Sequence, residues 1–522
     1  MAFRGDLRPF QVPAVERMLE ENLLVAYEMG LGKTVLTIYT LEQLLETEEI
    51  EVALVVAPAS LKYQWAREIA KFTDGALVTV IDGDAAQRRA QYQRAGRFEY
   101  VIVNYEQIVN DWGDGFLAMT REWPKNRWAM VLDEATAIKT PTAKRTRKVL
   151  RLRPRVRFAL SGQPVENRPE EVFHIMRWVD EDVLGSPAKF DRSFIVRDGF
   201  GKVKRYRNLH ILHKQLASAM IRKSRHDPDV APHLPKVVEE VIPVQFDAAG
   251  ARLYRAVASE LLADLEALQG GNAWSLEAHY GLSDSQSSMK EAGDIMAKQL
   301  ALRMLCDHPE LIRISAGKYD DETTVQGSAY ASALVESGAV DKVKASPKFR
   351  ATAALVKEIL DASPTNKVVL FSFFKGMLGM LADELKGYRP VLFTGDMNAK
   401  QKDAAKVHFQ TDPKCRIFLS SDAGGYGVDL PQANYLISYD LPWSAGKIEQ
   451  RNARIVRLSS TFESVTVLTM VMAGSVEQRM YDLLNEKGLV ASAVVDGRGF
   501  DAKGKLDLNL ATLKEFLRES SV

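Results

Sequence analysis

Short apolar runs rich in β-branched residues alternate with helix-like stretches through the first third of the chain. Each run has the continuous apolar character of a strand that is buried on both faces, and the stretches between runs place apolar residues three and four positions apart, as one face of a helix does. The strands predicted in this part are 23–26, 52–57, 77–81, 100–103, 129–132 and 157–160. This alternation is typical of a parallel sheet that is covered by helices.

The alternation stops in the middle of the chain and resumes in its last third. Residues 190–345 have a mainly helical pattern, which is strongest over 253–268 and 294–305, and the polar segments 270–288 and 316–344 are predicted to be loops. The strands predicted in the last third are 368–373, 391–393, 416–419, 435–438 and 465–470. We therefore predict an α/β protein with an N-terminal lobe (1–189), a helical part with a linker (190–345), a second α/β lobe (346–490) and a tail (491–522).

The segment between the first predicted strand and the helical pattern at 35–45 has the residues of a phosphate-binding loop. Gly30 and Gly32 let the backbone curl so that its N–H groups face phosphate oxygens, and the helix N-terminus adds a partial positive charge. Lys33 would then reach the β- and γ-phosphates, and Thr34 would hold Mg²⁺. A plain tight turn is the alternative, because the full pattern has glycine where this chain has Tyr27. The Gly-Lys-Thr ending between a strand and a helix favours nucleotide binding.

Two carboxylates follow the buried strand at 129–132. They are Asp133 and Glu134, and they lie at the strand end where ligands of open α/β sheets gather. One carboxylate would hold the Mg²⁺ ion with its water shell, and the next would orient or deprotonate the attacking water. On its own such a pair is usually a solvated turn. Together with the phosphate-binding loop upstream, it favours a catalytic site.

Arginines recur every three residues in the segment 450–457, so they lie near one face of a helix. This row of arginines has three interpretations. The first is a helix that forms salt bridges, and the second is a contact to a phosphate backbone. The third is that Arg454 and Arg457 neutralise the charge that develops on a transferring γ-phosphoryl group. Because these arginines belong to the second predicted lobe, hydrolysis would then depend on closure of the lobes.

Composition narrows the class of protein only a little. The formal net charge of +1 neither supports nor excludes a nucleic-acid partner, and the 46% of hydrophobic residues can form more than one core. Cys306 and Cys415 are the two cysteines, so we expect no disulfide framework and no metal cluster. Since there is no signal-peptide pattern and no apolar run long enough to cross a bilayer, we expect a soluble, intracellular protein.

Taken in order, these motifs resemble those of superfamily-two helicases, and within them the Swi/Snf family of double-stranded DNA translocases in a minimal form. The segments that carry the general resemblance are 7–11, 28–34, 133–136, 160–167, 419–430 and 450–457. The segments that point to the Swi/Snf family are 221–225 and 303–309, which are similar to parts of its helical protrusions, and 440–443, which leads to the arginine motif.

This resemblance implies two RecA-like parallel-sheet lobes of the P-loop class, with helical insertions between them, that bind ATP and Mg²⁺. It assigns the reading of adenine to the Gln11 amide, the metal to Thr34 and Asp133, and completion of the nucleotide site to Gly427 and Asp429. The chain departs from the usual family residues at Tyr27, Thr136, Ala453 and Val456. These departures remove no phosphate, metal or arginine group, and they concern the coupling of hydrolysis to lobe movement.

Polar residues at the ends of several predicted strands are candidates for contacts to a DNA backbone. These candidates are Ser60, Lys62, Asn104, Ser372 and Ser420. Each alone is an ordinary helix cap in most proteins, and their shared placement favours DNA contact. Lys144 and Arg145 begin the most basic stretch of the chain, which continues to Arg157 and is either a solvated helix face or a further backbone contact.

The expected function is that of an ATP-dependent motor that moves on double-stranded DNA and remodels DNA or protein–DNA complexes. One alternative is a helicase that separates the strands of DNA or RNA, with single-stranded or forked DNA or RNA as its partner. The other is an ATP-gated clamp or scaffold that binds DNA without moving. We expect a cytoplasmic, nucleoid-associated protein of a bacterial or phage-infected cell, with no membrane partner and with an unidentified protein partner.

Overall fold

The structure is a computed structural model, and it describes residues 3–124, 127–165, 168–197, 203–267, 286–321, 327–422, 428–442, 445–482, 484, 495, 517 and 518. Their internal contacts divide the chain into two compact units. The first unit contains Met1–Pro235 and Val456–Ser459, and the second contains Lys236–Ile455 and Ser460–Glu486. Of the isolated residues, Val495 groups with the first unit and Leu517 with the second.

The first unit is built around a parallel sheet that has seven strands among the described residues, in the order β3-β4-β2-β5-β6-β1-β9. The strands of this unit are β1 (Leu23–Tyr27), β2 (Val52–Ala57), β3 (Val78–Val80), β4 (Tyr100–Asn104), β5 (Trp128–Asp133), β6 (Val156–Leu160), β7 (Ile195–Arg197), β8 (Val203–Tyr206) and β9 (Met220–Lys223). Strands β7 and β8 form a separate antiparallel pair. Every residue of β1, β2 and β5 is buried, as expected for strands that are covered on both faces.

Helices pack on both faces of this sheet. They are α1 (Val12–Glu20), α2 (Lys33–Glu46), α3 (Lys62–Phe72), α4 (Ala85–Arg94), α5 (Tyr105–Asn110), α6 (Leu117–Glu122), α7 (Lys144–Val149), α8 (Glu171–Val179), α9 (Pro187–Phe194) and α10 (Leu209–Leu216). Residues along β1 alternate between two cores. Leu24 belongs to the core that includes α8, and Leu23 and Val25 belong to the core that includes α2.

The second unit has a parallel sheet of its own, with six described strands in the order β10-β15-β14-β11-β13-β12. The strands are β10 (Lys236–Val244), β11 (Val368–Phe371), β12 (Val391–Phe393), β13 (Ile417–Ser420), β14 (Tyr435–Ser438) and β15 (Ser464–Met472). The helices are α11 (Ala248–Ala267), α12 (Gln286–Asp307), α13 (Glu310–Asp320), α14 (Ala329–Glu336), α15 (Pro347–Ala362), α16 (Lys375–Glu384), α17 (Ala399–Thr411) and α18 (Ala445–Asn452). None of the helices in the described part of the chain is both long and apolar enough to span a bilayer.

The predicted α/β class with two parallel sheets is confirmed, and each predicted strand is present with small shifts at its ends. The helical prediction for the middle region was incomplete, because β7, β8, β9 and β10 also lie there. Strand β10 lies at an edge of its sheet and carries exposed lysine and glutamate residues, so it lacks the apolar run that marks a buried strand.

The loop predicted over residues 316–344 was wrong at two places in the part that the structure describes. Helix α13 continues to Asp320, and α14 occupies Ala329–Glu336. The hydroxyl of Ser328 caps α14 by accepting a hydrogen bond from the backbone N–H of Ala331 (3.4 Å). Small apolar residues of this helix then reach the core of the second unit, so the short segment is stabilised by packing.

Candidate functional site

Two glycines shape the loop between β1 and α2. Gly30 has φ 85° and Gly32 has φ 79°, which is the left-handed region that favours glycine. A Cβ atom on Gly32 would lie 2.4 Å from Nε2 of Gln11, and one on Gly30 would lie 2.8 Å from the carbonyl oxygen of Val456. Both positions therefore need glycine for conformation and for space.

The segment that contains Gln11 is fastened to this loop. Nε2 of Gln11 donates to the carbonyl of Leu31 (3.0 Å), and Oε1 accepts from the backbone N–H of Arg8 (2.8 Å). The hydroxyl of Tyr27 donates to the carbonyl of Phe10 (2.7 Å). Tyr27 therefore anchors the Gln11 segment from the position where the full phosphate-loop pattern has glycine.

Lys33 is the first residue of α2, and its amino group lies against the loop backbone. Nζ donates to the carbonyl of Tyr27 (2.9 Å) and more weakly to that of Glu28 (3.4 Å). Burial lowers the pKa of Lys33, while the negative charges of Glu134 and Asp133 act to raise it. These two charges are therefore close enough to Lys33 to influence its ionisation, as the predicted site requires.

The carboxylates lie where β5 ends. Oδ2 of Asp133 accepts from Nε1 of Trp65 (2.8 Å), Oδ1 accepts from the N–H of Glu134 (3.0 Å), and the hydroxyl of Tyr105 donates to the Asp133 carbonyl (2.8 Å). Burial raises the pKa of Asp133, and the Trp65 bond and the charge of Lys33 oppose that rise. Glu134 has φ 50° and ψ 56°, a left-handed conformation that is uncommon outside glycine and is concentrated at functional sites.

Glu28 of the phosphate loop forms a buried ion-pair group with two arginines. Oε1 accepts from Nη2 of Arg222 (2.9 Å), and Oε2 accepts from Nε of Arg225 (2.9 Å) and from its backbone N–H (3.0 Å). Burial acts to raise the pKa of Glu28, but the charges of Arg225 and Arg222 outweigh it and lower the pKa to about 2. Arg222 also donates to the carbonyls of Ala26 (2.9 Å) and Gly162 (3.0 Å), so it joins β1, the loop and the segment after β6.

The placement of residues 221–225 in a helical protrusion was wrong. The structure places Met220–Lys223 in β9, which pairs with β1, and Arg225 directly after it. The role of Arg222 and Arg225 could not be seen in the sequence, because they are more than 190 residues from Glu28. The available signal was the dense row of basic residues in this segment.

The segment after β6 also passes close to the loop. A Cβ atom on Gly162 would lie 2.8 Å from Cγ of Met29 and 3.5 Å from Nζ of Lys33. The N–H of Ser161 donates to the carbonyl of Val25 (3.2 Å). Residues 166 and 167 of this motif lie outside the described residues.

The predicted metal ligands supply oxygen atoms of the kind that Mg²⁺ prefers. They are the hydroxyl of Thr34, which is partly buried in the first turn of α2, and the carboxylate of Asp133. In the part of the chain that the structure describes, no group of three or more His, Cys, Asp or Glu side chains could hold a metal ion. Thr34 and Asp133 therefore fit Mg²⁺, an ion that proteins commonly bind through few side chains together with substrate phosphates and water.

The arginine row divides into three environments. Arg451 forms a two-pronged ion pair with Asp422 (2.7 and 2.9 Å) inside the second unit. Arg454 is 6% exposed, and its Nη1 donates to the carbonyl of Val428 (3.4 Å). Arg457 belongs to the short segment that groups with the first unit, where its positive charge contributes to the lowered pKa of Lys33.

The other nucleotide-site candidates of the second unit are less fully described. Gly427 lies outside the described residues. The carbonyl of Asp429 accepts from Nε2 of Gln410 on α17 (3.0 Å), which fixes the backbone just before Leu430. Their roles at the nucleotide stay predictions.

Four of the predicted DNA contacts lie in accessible or partly accessible positions. Lys144 and Arg145 are exposed on α7, and Ser60 is exposed after β2. Asn104 is partly buried, and its side-chain oxygen caps α5 by accepting from the N–H of Gln107 (2.7 Å). DNA contact by these residues stays a prediction.

The other three predicted DNA contacts are turned inward. Lys62 is 3% exposed, and its Nζ donates to the carbonyl of Ile81 (2.7 Å) and to Asp82 (3.2 Å). Ser372 and Ser420 are fully buried, and their hydroxyls donate within the second unit. This geometry argues against direct backbone contacts by Lys62, Ser372 and Ser420, because each polar group is already bonded inside the protein.

Much of the basic stretch that follows Arg145 also serves the fold. Arg153 donates to the carbonyl of Arg177 (3.0 Å), Arg155 pairs with Glu49 (2.9 Å), and Arg157 donates to the carbonyl of Val179 (3.0 Å). A basic run in a sequence therefore overstates the charge that is available to a partner.

Comparisons with known proteins agree with this architecture. The family model described as SNF2-related domain matches residues 13–311, and the model described as helicase conserved C-terminal domain matches residues 351–459. The chain is 24% identical over 511 residues to the putative ATP-dependent helicase/translocase YwqA of Bacillus subtilis, covering 96% of this chain and 50% of that protein. It is also 24% identical over 486 residues to the CHD3-type chromatin-remodeling factor CHR7 of Arabidopsis thaliana, covering 91% of this chain and 36% of that protein.

The fold has a counterpart among solved structures. The Hef helicase domain of Pyrococcus furiosus superimposes with a TM-score of 0.53 at 17% identity, covering 92% of this chain and 99% of that one. This likeness concerns the fold alone. The chain spans half or less of the length of the two curated relatives that it matches.

Proposed function

Because the chain belongs to the SNF2-related family of helicase-like ATPases, we propose that it is a motor that couples ATP hydrolysis to movement along double-stranded DNA. The observation that carries this proposal is the convergence of the glycine-shaped loop, Lys33, Asp133 and Glu134 at the carboxyl ends of β1 and β5. The names of the relatives, a helicase/translocase and a chromatin-remodeling factor, support movement on DNA as the use of that site.

In the proposed reaction the loop holds the phosphates of ATP. Lys33 exchanges its bond with the Tyr27 carbonyl for the β- and γ-phosphates, and the backbone N–H groups that follow Gly30 and Gly32 bind the remaining oxygens. Thr34 and Asp133 are the oxygen donors that would hold Mg²⁺, which supplies charge neutralisation at the phosphates.

Glu134 orients and deprotonates the water that attacks the γ-phosphorus. Its backbone has a left-handed conformation, and the hydrogen bond from its N–H to Oδ1 of Asp133 helps to fix it at the end of β5. Arg454 and Arg457 supply positive charge to the transferring phosphoryl group. Gln11 can still accept from and donate to adenine, because a carboxamide has a second lone pair and a second N–H beyond the bonds described above.

The track is proposed to be the phosphate backbone of a DNA duplex. Lys144 and Arg145 on α7 present exposed cations. Ser60 presents an exposed hydroxyl after β2, the strand that lies beside β5 in the sheet. Contacts of this kind carry no base information, which suits a motor that must move over any sequence. We place its site of action at the nucleoid, where duplex DNA is found.

The test is ATPase activity with double-stranded, single-stranded and forked DNA, followed by displacement of a third strand from a DNA triplex. A motor on duplex DNA is stimulated most by the duplex, and it removes the third strand only when ATP is hydrolysed. A clamp would bind without displacing the strand. A strand-separating helicase would unwind forked DNA or duplex RNA, and either outcome would overturn the proposal.

A further inference from the structure

Arg451 is buried between two carboxylates in the second unit. Its Nε and Nη2 donate to Asp422 (2.7 and 2.9 Å), and its Nη1 donates to the carbonyl of Asp440 (2.6 Å). Nη2 also lies 3.4 Å from Oδ1 of Asp440. Arg451 is only 2% exposed, so its guanidinium group is fully used inside the protein.

This guanidinium group spans three neighbouring strands of the sheet. Asp422 follows β13 and Asp440 follows β14, and β11 lies between these two strands in the sheet. Cζ of Arg451 lies 5.5 Å from the ring centroid of Phe371, the last residue of β11. One side chain of α18 therefore ties the helix to the carboxyl ends of all three strands.

Asp440 extends the network to the turn after β11. Its carboxylate accepts from the hydroxyl of Ser372 (2.6 Å) and from the N–H of Phe373 (2.8 and 2.9 Å). Phe373 is 43% exposed, and its ring stacks on the guanidinium of Arg303 at 4.8 Å. A surface aromatic side chain is thus joined through Asp440 to the helix that carries Arg451.

The charges decide what Arg451 can do. Two carboxylates surround one guanidinium group, and all three of its nitrogen atoms already donate hydrogen bonds. Moving it to a phosphate would take the cation away from the buried carboxylate of Asp440 and from the partly buried carboxylate of Asp422, which is a large cost. The nearest downstream arginine, Arg454, lies three residues further along the chain, and its carbonyl accepts from the N–H of Leu430 (3.0 Å).

We propose that Arg451 is a positioning residue, which with Asp422 and Asp440 fixes the end of α18 so that Arg454 is held for the phosphoryl group. This inference rests on the proposed function, because it assigns Arg454 to the γ-phosphate. Arg451 itself does not touch the nucleotide. The same network joins the turn at Phe373 to Arg451 through Asp440.

The test is a double-mutant cycle of Arg451→Gln and Asp422→Asn, read as kcat and KM for ATP with saturating duplex DNA. A pair that acts as one unit gives single variants with similar losses of kcat, about tenfold or more, and a double variant that is no worse than either. KM for ATP should change by less than about threefold, since binding by the first unit is not touched. If Arg451 contacts the phosphate directly, Arg451→Gln loses turnover while Asp422→Asn keeps a nearly normal kcat, and that result overturns the inference.

Arg416→Lys is the matched control. Arg416 is also an arginine of the second unit, and it donates to the carbonyls of Asn366 (3.0 Å) and Leu360 (2.5 Å) with no carboxylate partner in those bonds. Arg416→Lys should lower the midpoint of thermal unfolding without a selective loss of kcat. Arg451→Lys serves as a second variant if a cycle member does not fold, because it keeps the charge and loses the two-pronged geometry. It is read beside Asp422→Glu: losses of kcat in both variants at normal midpoints of thermal unfolding support positioning, and a normal kcat in either variant overturns it.

The wild-type rate separates this inference from the proposed function. If the wild-type protein hydrolyses ATP no faster with duplex DNA than without it, the proposed motor fails. If duplex stimulation is present and the losses of the two single variants add in the double variant, the motor stands and the positioning role of Arg451 is wrong.

Discussion

The two units hold buried ion-pair groups of opposite composition at the carboxyl ends of their parallel strands. In the first unit one carboxylate, Glu28, lies between Arg222 and Arg225. In the second unit one guanidinium group, Arg451, lies between Asp422 and Asp440. The first group therefore has positive charge in excess, and the second has negative charge in excess.

We infer from this difference that the carboxyl ends of the parallel strands have different roles in the two units. Excess positive charge beside the phosphate loop favours an anionic ligand there. In the second unit Arg451 makes its hydrogen bonds within the protein, and Arg454 and Arg457 are the arginines of this motif that we propose for the phosphoryl group. The predicted single helix face for this row was wrong, because α18 ends at Asn452 and only Arg451 lies on it. The row thus combines one structural arginine with two proposed catalytic ones.

The largest expected effect comes from removing the proposed base of the first unit. Glu134→Gln should keep ATP binding and lower kcat by about a thousandfold, because the amide cannot accept a proton from water. ATP affinity measured by calorimetry and turnover measured by phosphate release check this. Glu122→Gln, at an exposed position on α6, is the control and should behave as wild type. Normal turnover in Glu134→Gln would remove Glu134 from the reaction.

The next largest effect is expected from a substitution that breaks the ion-pair group of the first unit. Arg222→Ala removes one of the two charges that stabilise Glu28 and also the bonds to Ala26 and Gly162. Loss of one partner from a buried ion pair typically costs about 3 kcal/mol, so urea unfolding should shift by about that amount, and KM for ATP should rise as the loop loosens. An unchanged unfolding midpoint would mean that Arg222 does not hold the loop.

The same ion-pair group should make the free energy of unfolding of the first unit depend on pH in the acid range. Glu28 has a pKa of about 2 in the folded protein against an ordinary value of 4.5, so its contribution is present above pH 4.5 and is lost as the pH falls from there toward 2. The contribution amounts to at most about 3 kcal/mol. Unfolding free energy measured across this pH window should fall less steeply in Glu28→Gln. Equal slopes in the two proteins would show that Glu28 is not held as an anion.

The smallest effect concerns the exposed cations of α7. Lys144→Ala combined with Arg145→Ala should weaken duplex binding several-fold and reduce the salt slope of log K by about one for each lost contact. Fluorescence anisotropy titrations over a range of salt concentrations measure both. Arg94→Ala, at an exposed position on α4, is the control. A variant with the wild-type salt slope would place the track elsewhere.

Local sequence patterns were sufficient for most strands of the two large sheets and for the loop between β1 and α2. The runs at β2, β12 and β14 were predicted with their ends, and the Gly-Lys-Thr ending located the start of α2, because these features depend on neighbouring residues. Of the strands that the pattern missed, β7 and β8 form a short antiparallel pair, and β9 and β10 are stabilised by partners far along the chain.

The side-chain environment of the site could not be predicted in the same way. Lys62 was predicted to contact DNA, yet its amino group turns to the end of β3, which a local pattern does not encode. The pairing of Glu28 with Arg222 and that of Arg451 with Asp422 depend on tertiary contacts between segments far apart in sequence. Charge spacing identified the arginine row, but only the contacts separated Arg451 from Arg454.

The proposed motor is tested most directly by the turnover of Arg454→Ala with saturating duplex DNA, measured beside its affinity for ATP. If Arg454 supplies positive charge to the γ-phosphoryl group of the ATP that Lys33 binds, its loss should lower kcat by about a thousandfold. The affinity for ATP should stay within about threefold of wild type. An undiminished kcat in a folded Arg454→Ala protein would contradict the proposed role of Arg454 in hydrolysis.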